Sequence, residues 1–239
     1  IWRYYDWEKR KQNFINFIKS EDPQIIFLQE AAYDERLKNK YDNQIDEINK
    51  ELNYKSCFFG KLAKLTKWHK EKINREMWMG LGLLSKFKIK KTEMVYLPIY
   101  PEYGDKKQMG FLYAQLETQK GNIDIINVHF ANNSQSAKLH LKETLEWCKK
   151  KDIKPIIAGD FNIKIIEDLV KEANKDYHIS YIFKEYKSFF PTEFSHDKSP
   201  ITLDYIIIHK NKFKFIDVEC LNVDISDHKP VKAFIKLLK

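Results

Sequence analysis

Arginine is scarce in this sequence: only four of its 42 basic residues carry a guanidinium, at Arg3, Arg10, Arg36 and Arg75. Reading base edges in a groove favours the bidentate arginine fork, whereas lysine presents a point charge suited to phosphates. The net charge of +8 therefore suits a polyanionic partner without specifying a base sequence, and a general enrichment in lysine would leave the same trace. The three cysteines, Cys57, Cys148 and Cys220, are odd in number, far apart and without a CxxC pair. That pattern argues against both a disulfide framework and a thiolate zinc site, and leaves buried free thiols as the expectation. Seven glycines and seven prolines are too few for a linker-rich or disordered chain. No apolar run approaches the ~18 residues needed to cross a bilayer. A signal-peptide pattern is lacking too, so a cytoplasmic location is expected, although a chain that opens at Ile1 leaves the question of a removed leader open.

What is present is enough for one large core. The 239 residues are 43% hydrophobic and 14% aromatic, with no repeat, low-complexity tract or composition break, so a single domain over 1–239 is expected. Asp6–Ser20 has the apolar spacing of an amphipathic helix, and Gln24–Gln29 reads as a buried strand. Helical spacing returns over Asp34–Leu52, through Leu37, Tyr41, Ile45, Ile48 and Leu52. Strand-like runs come next at Tyr54–Phe59, Gly80–Leu84, Lys91–Leu97, Phe111–Glu117 and Asp124–His129. Ser134 or Ser136 caps a helix to about Lys151, Pro155–Ala158 is a strand, and a helix covers about Ile165 to Asn174. The tail holds strands at Leu203–Ile208, Phe213–Leu221 and Val231–Leu237. This order predicts an α/β architecture of two sheets packed face to face, each covered by helices on its outer side.

Five strand ends carry the residue types that phosphoryl chemistry uses. Glu30 comes after the apolar Ile25–Leu28, where one carboxylate suffices for a hard cation that keeps most of its waters. His129 closes the run from Asp124, and histidine changes charge near neutral pH. Gly159 permits a tight bend that sets Asp160 and Asn162 two apart, where an acceptor and an amide can grip one water from two directions. Asp204 enters a strongly apolar strand, where an unpaired carboxylate would cost several kcal/mol, so it needs a partner, naturally a histidine. Asp227-His228 stands just before the last strand. Singly, Glu30 reads as an exposed loop residue and His129 as a structural histidine.

Taken in order, Leu28-Gln29-Glu30, Val128-His129-Phe130, Gly159-Asp160-Phe161-Asn162, Leu203-Asp204-Tyr205 and Ser226-Asp227-His228-Lys229-Pro230-Val231 resemble the motifs of the endonuclease/exonuclease/phosphatase superfamily, the DNase I-like fold. The resemblance runs over almost the whole chain. It implies a four-layered α/β/β/α sandwich with two packed, mainly antiparallel sheets and the site at one end. It also implies a Mg²⁺-dependent (or Mn²⁺-dependent) phosphoric ester hydrolase working by in-line attack of water. By motif, Glu30 is then the main metal ligand, with Asp227 at or near the metal. Asp160 orients and activates the water with Asn162 beside it. His228, held in its tautomer by Asp204, bonds a phosphate oxygen, and His129 is the second histidine. One departure stands out: the family's first strand normally ends in Asn-Ile or Asn-Val, and Ile1-Trp2-Arg3 matches the residues just after that Asn, so the resemblance implies a domain lacking its first strand.

The same comparison by motif leans away from exonuclease III-type apurinic endonucleases, which carry Tyr where His129 stands and Trp-Arg where Thr202-Leu203 precede Asp204-Tyr205. The basic stretch Lys61–Arg75 offers Lys67 and Trp68 for substrate contact, and reads equally as an amphipathic helix burying Leu62, Leu65 and Trp68. Asn132 and Thr192 complete the expected substrate-binding set. Nucleic acid is the first expectation for the phosphate-ester substrate. A phospholipid or inositol phosphate, including one at a membrane surface, is the alternative, and a catalytically silent binding module is the second. No obligate protein partner is implied.

Overall fold

Burial along a strand decides which layer it helps to build, and the strands Met77–Ser85, Gly110–Thr118, Gly121–His129, Ile156–Asp160 and Asp204–His209 are buried on both faces through their middles. The computed structural model describes residues 7–37, 43–68, 71–163, 166–173, 175–180 and 202–238. Its strands are β1 (Ile25–Asp34), β2 (Ser56–Lys64), β3 (Lys67–Trp68), β4 (Glu71–Lys72), β5 (Met77–Ser85), β6 (Lys88–Tyr96), β7 (Gly110–Thr118), β8 (Gly121–His129), β9 (Ile156–Asp160), β10 (Tyr177–Ile179), β11 (Asp204–His209), β12 (Phe213–Cys220) and β13 (Val231–Leu237). Its helices are α1 (Trp7–Glu21), α2 (Gln44–Leu52), α3 (Ser134–Lys150) and α4 (Ile166–Ala173).

Six strands form one sheet in the order β10-β11-β9-β8-β7-β6, and three form another in the order β1-β5-β2. All pairs are antiparallel except β8 with β9. A parallel pair needs a long crossover, and α3 supplies it. The inner faces meet in a core of Met79, Leu81 and Leu83 from β5 against Ile125, Ile156 and Ile208 from the larger sheet. Phe213, Phe215 and Val218 bring the β12–β13 ribbon onto the same core. The outer face of the larger sheet buries Ala137 and Leu141 of α3 and Leu169 of α4, and the outer face of the smaller sheet buries Phe14, Ile15 and Ile18 of α1 with Ile45 and Ile48 of α2. The layers are therefore α/β/β/α, as expected, with mainly antiparallel sheets.

Three expectations change. Of the helical spacing over Asp34–Leu52, β1 takes Asp34, a single 3-10 turn covers Glu35–Leu37 and α2 begins at Gln44, capped by Asn43, whose side chain accepts from the Ile45 and Asp46 amides; residues 38–42 lie outside the described residues. The cap of α3 is Asn133, whose side chain accepts from Gln135 N and Ser136 N, rather than a serine. Lys61–Arg75 is neither helix nor open loop in its described parts: β2 runs on through Lys64 and the short β3–β4 hairpin comes next. Leu62 and Leu65 are buried all the same. All three cysteines are free, but only Cys148 is buried. The segment Ile1-Trp2-Arg3, on which the reading of an absent first strand turned, lies outside the described residues.

The glycine that bears on the site is compelled twice over. Gly159 in β9 has φ +136, and a Cβ there would stand 2.2 Å from the Val128 carbonyl oxygen, a backbone atom that cannot swing away. Gly159→Ala should lower the free energy of unfolding by about 2–3 kcal/mol, read from urea denaturation. A loss under about half a kcal/mol would show that the β8–β9 pair relaxes freely.

Candidate active site

Because β8 and β9 run parallel, their carboxyl ends lie side by side, and β11, antiparallel to β9, begins where they finish. Register sets His129 opposite Asp160, and Asp160 opposite Asp204. Beneath them sit Asn127, Ala158 and Ile206, and beneath those Ile125, Ile156 and Ile208 of the inter-sheet core. Side chains two apart share a face, so His129, Asp160 and Asp204 form the uppermost rung of that core.

Each member of the rung has a distinct set of partners. Asp160 accepts from the Asn162 amide at 2.9 Å through Oδ1 and from Asn162 Nδ2 at 3.1 Å through Oδ2. Asn162, in the left-handed region at φ 51, also donates Nδ2 to the Phe130 carbonyl at 3.0 Å. The backbone and side-chain amides of Asn162 thus hold the Asp160 carboxylate in place. His129 Nε2 stands 3.6 Å from Asp160 Oδ2, and its Nδ1 is a buried polar atom without a hydrogen-bond partner. His228 Nδ1 lies 2.8 Å from Asp204 Oδ2, so the partner expected for Asp204 is present.

The opposite sheet supplies Glu30 through an irregularity. Leu28 pairs with Gly82 and Ala31 with Gly80, so two residues, Gln29 and Glu30, face the single Leu81. This is a β-bulge. Leu28 and Ala31 both lie in the helix-facing core, and the extra residue therefore turns Gln29 and Glu30 to the inter-sheet side. Glu30 takes φ 55 there, a conformation that costs a non-glycine residue about 1–2 kcal/mol. Gln29 Nε2 donates to Asn127 Oδ1 at 2.6 Å, while Asn127 Nδ2 donates to the carbonyls of Leu28 at 3.0 Å and Gly82 at 2.9 Å. Gln29 and Asn127 were not singled out from the sequence. The signal was available, since an amide inside Ile125-Ile126-Asn127-Val128 must find partners once buried.

Glu30, His129, Asn132, Asp160, Asn162, Asp204, Asp227 and His228 all line one cleft of about 1710 Å³, which continues along the seam between β1 and β13. Asn132 is exposed at its rim, and Asp227 accepts from Ser226 Oγ at 2.9 Å. Lys67, exposed on β3, is not among the lining residues; the side chain of Trp68 and all of Thr192 lie outside the described residues.

Electrostatics divides the titratable groups. Burial and the neighbouring Asp204 carboxylate push the Asp160 carboxyl up to about 8, against only partial relief from His228 and the Asn162 amide. Burial holds His129 below the ordinary imidazole range. Burial would also depress His228, but the charge and hydrogen bond of Asp204, helped by Asp160 and Asp227, carry it up to about 9. Among the described residues no three His, Cys, Asp or Glu side chains form a metal-holding group by themselves. The donor set nevertheless fits a hard cation that keeps its waters and needs one or two carboxylates: Glu30 faces the cleft, and a cation beside it would offset the burial and the Asp204 charge that raise the Asp160 carboxyl.

The family model described as the Endonuclease/Exonuclease/phosphatase family matches residues 3–228, and the chain belongs to that family. An uncharacterized protein of Acanthamoeba polyphaga mimivirus is 29% identical over 189 residues, covering 72% of this chain and 66% of that relative, so the shared region is just under two thirds of the relative's length. A solved endonuclease/exonuclease/phosphatase family protein of Leptotrichia buccalis superposes with a TM-score of 0.75 at 15% identity, over 98% of this chain and 96% of its own. TDP2 of D. rerio superposes with a TM-score of 0.71 at 16% identity, over 98% and 94%. The family supports phosphoesterase or nuclease-type chemistry in general.

The His228–Asp204 pair carries a pH signature. Its folded value lies above the ordinary 6.5, so the stability it contributes is complete below about pH 6.5 and lost as pH rises through about 9. In metal-free protein, the His228 ring should titrate near 9 by NMR, and clearly lower in Asp204→Asn, where burial is opposed only by the charges of Asp160 and Asp227. An unchanged titration in that variant would remove Asp204 as the cause.

Proposed function

We propose that this chain is a Mg²⁺-dependent phosphodiesterase that hydrolyses nucleic acid by in-line attack of water. The observation that carries the reading is the single rung of His129, Asp160 and Asp204, closed by His228 and faced across the cleft by Glu30.

Glu30, with Asp227, would hold the metal. When bound, that metal would supply Lewis-acid polarisation of the phosphoryl oxygen and offset the charge developing on it. Asp160 takes the proton of the attacking water: both of its oxygens are oriented by Asn162, and its raised proton affinity suits a base working near neutral pH. His228 is an imidazolium at neutral pH, and with Nδ1 committed to Asp204 its Nε2–H is the group that can donate to a phosphoryl oxygen. His129, neutral and buried beside Asp160, lends a second donor without adding a charge. Most of this is positioning and electrostatics, as phosphoryl transfer requires.

Two observations favour nucleic acid as the substrate. The chain carries a net charge of +8, which suits a phosphate polymer, and the similar fold of D. rerio TDP2 was solved with a single-strand DNA product. The alternative, a phospholipid or inositol phosphate, shares the chemistry and differs only in what flanks the phosphate. Among the described residues no helix is long and apolar enough to cross a membrane, which bears on spanning but not on surface contact. Lys67, Trp68, Asn132 and Thr192 remain the proposed substrate contacts, and of these Asn132 has the best support, because it lines the cleft.

Hydrolysis should be measured on single-stranded DNA, double-stranded DNA, RNA and a phospholipid panel, with Mg²⁺ and with EDTA. Nucleic-acid cleavage that EDTA abolishes is expected, and Glu30→Gln, Asp160→Asn and His228→Ala should each reduce kcat by about 10²–10⁴-fold. Turnover of lipids alone would move the substrate to the alternative. Near-normal turnover in Asp160→Asn would remove the proposed base, and no turnover of any substrate would favour a silent module.

A further inference from the structure

The bulge in β1 places Glu30, and something must hold the bulge. A strand that inserts one residue loses ladder bonds at that point, and the left-handed Glu30 at φ 55 would relax if β1 returned to regular pairing. Regular pairing would restore strict alternation and send Glu30 to the helix-facing side with Leu28. Among the described residues, Asn127 reaches this point from the other sheet. Asn127 is 1% exposed and lies one position below His129 on the same face of β8. It spends both amide protons on backbone carbonyls flanking the bulge, Leu28 on β1 and its register partner Gly82 on β5. Its oxygen accepts from Gln29, the first bulged residue. On the far side of Gln29, the absent side chain of Gly159 leaves room for the amide, since a Cβ there would come within 3.0 Å of Gln29 Nε2.

We infer that Asn127 is a positioning residue for the metal: through Leu28, Gln29 and Gly82 it fixes the bulge that turns Glu30 into the cleft. This rests on the reading of Glu30 as the metal ligand. Asn127 touches neither metal nor substrate in that role. It acts on the opposite sheet, so the metal-side and water-side halves of the site are registered to each other by one amide rather than by apolar packing alone.

The test uses Mn²⁺ alone as the probe, with binding followed by EPR of the free ion, and hydrogen exchange at residues 29–31 in metal-free protein. Asn127→Ala should weaken Mn²⁺ binding by about 10–100-fold, the scale of outer partners that orient a ligand, and should speed exchange at the bulge. Ile125→Ala, a buried change one rung lower on the same face, serves as the stability control and should leave Mn²⁺ affinity within about twofold. Gln29→Leu removes the bond to Asn127 Oδ1 and spares the two carbonyl bonds, so it should weaken Mn²⁺ in the same direction by less. It also keeps the question answerable should Asn127→Ala fail to fold. Unchanged affinity and exchange in whichever of these two variants folds would overturn the inference, as would an equal loss in Ile125→Ala. Glu30→Gln separates the two readings: if it binds Mn²⁺ like the parent, the metal assignment fails, and bulge exchange alone decides whether Asn127 holds the strand. If Glu30→Gln loses Mn²⁺ while Asn127→Ala keeps it, the positioning role alone fails.

Discussion

Because β8 and β9 are parallel and in register, His129 and Asp160 must finish on one rung, and antiparallel β11 then has to enter at Asp204. Three polar side chains are thereby forced into the mouth of an apolar core, where each must either find a partner or go without its charge. The protein does both. Asp204 is paired with His228, Asp160 is gripped by Asn162 and driven toward its protonated form, and His129 stays neutral. The remaining geometry, including the crossover through α3, can be read as the framework that keeps this one rung aligned.

Much of the layered fold was legible in the sequence because the strands that build it are continuous apolar runs, and their faces are buried on both sides. What escaped were places where one residue breaks a period. Lys61–Arg75 was misread because β2 shifts register between Lys61 and Ala63. The shift breaks the two-residue alternation, and the spacing of Leu62 and Leu65 then imitates a helix. The start of the next helix was placed too early at Asp34–Leu37, where β1 ends and a 3-10 turn follows. Local pattern carries no information about register, and register is what these segments depend on.

The site was legible in a different way. Glu30, His129, Asp160, Asn162, Asp204, Asp227 and His228 were named from motifs at strand ends, and the fold brings all of them to one cleft. Their mutual arrangement was less visible. That Gln29 and Asn127 tie the sheets beneath comes from contacts separated by 98 residues in one case and 99 in another, beyond the reach of any spacing rule. Lys67, chosen for the composition of its segment, is not among the residues that line the cleft.

The left-handed backbone at Glu30 has an evolutionary side. Glycine would occupy that conformation without penalty, so at this position the residue that best suits the backbone is the one that abolishes the carboxylate. A search for thermostable variants, blind to turnover, would be drawn to that replacement and would shed the proposed metal ligand. At this one backbone position, what folding favours and what the proposed metal site needs are different residues.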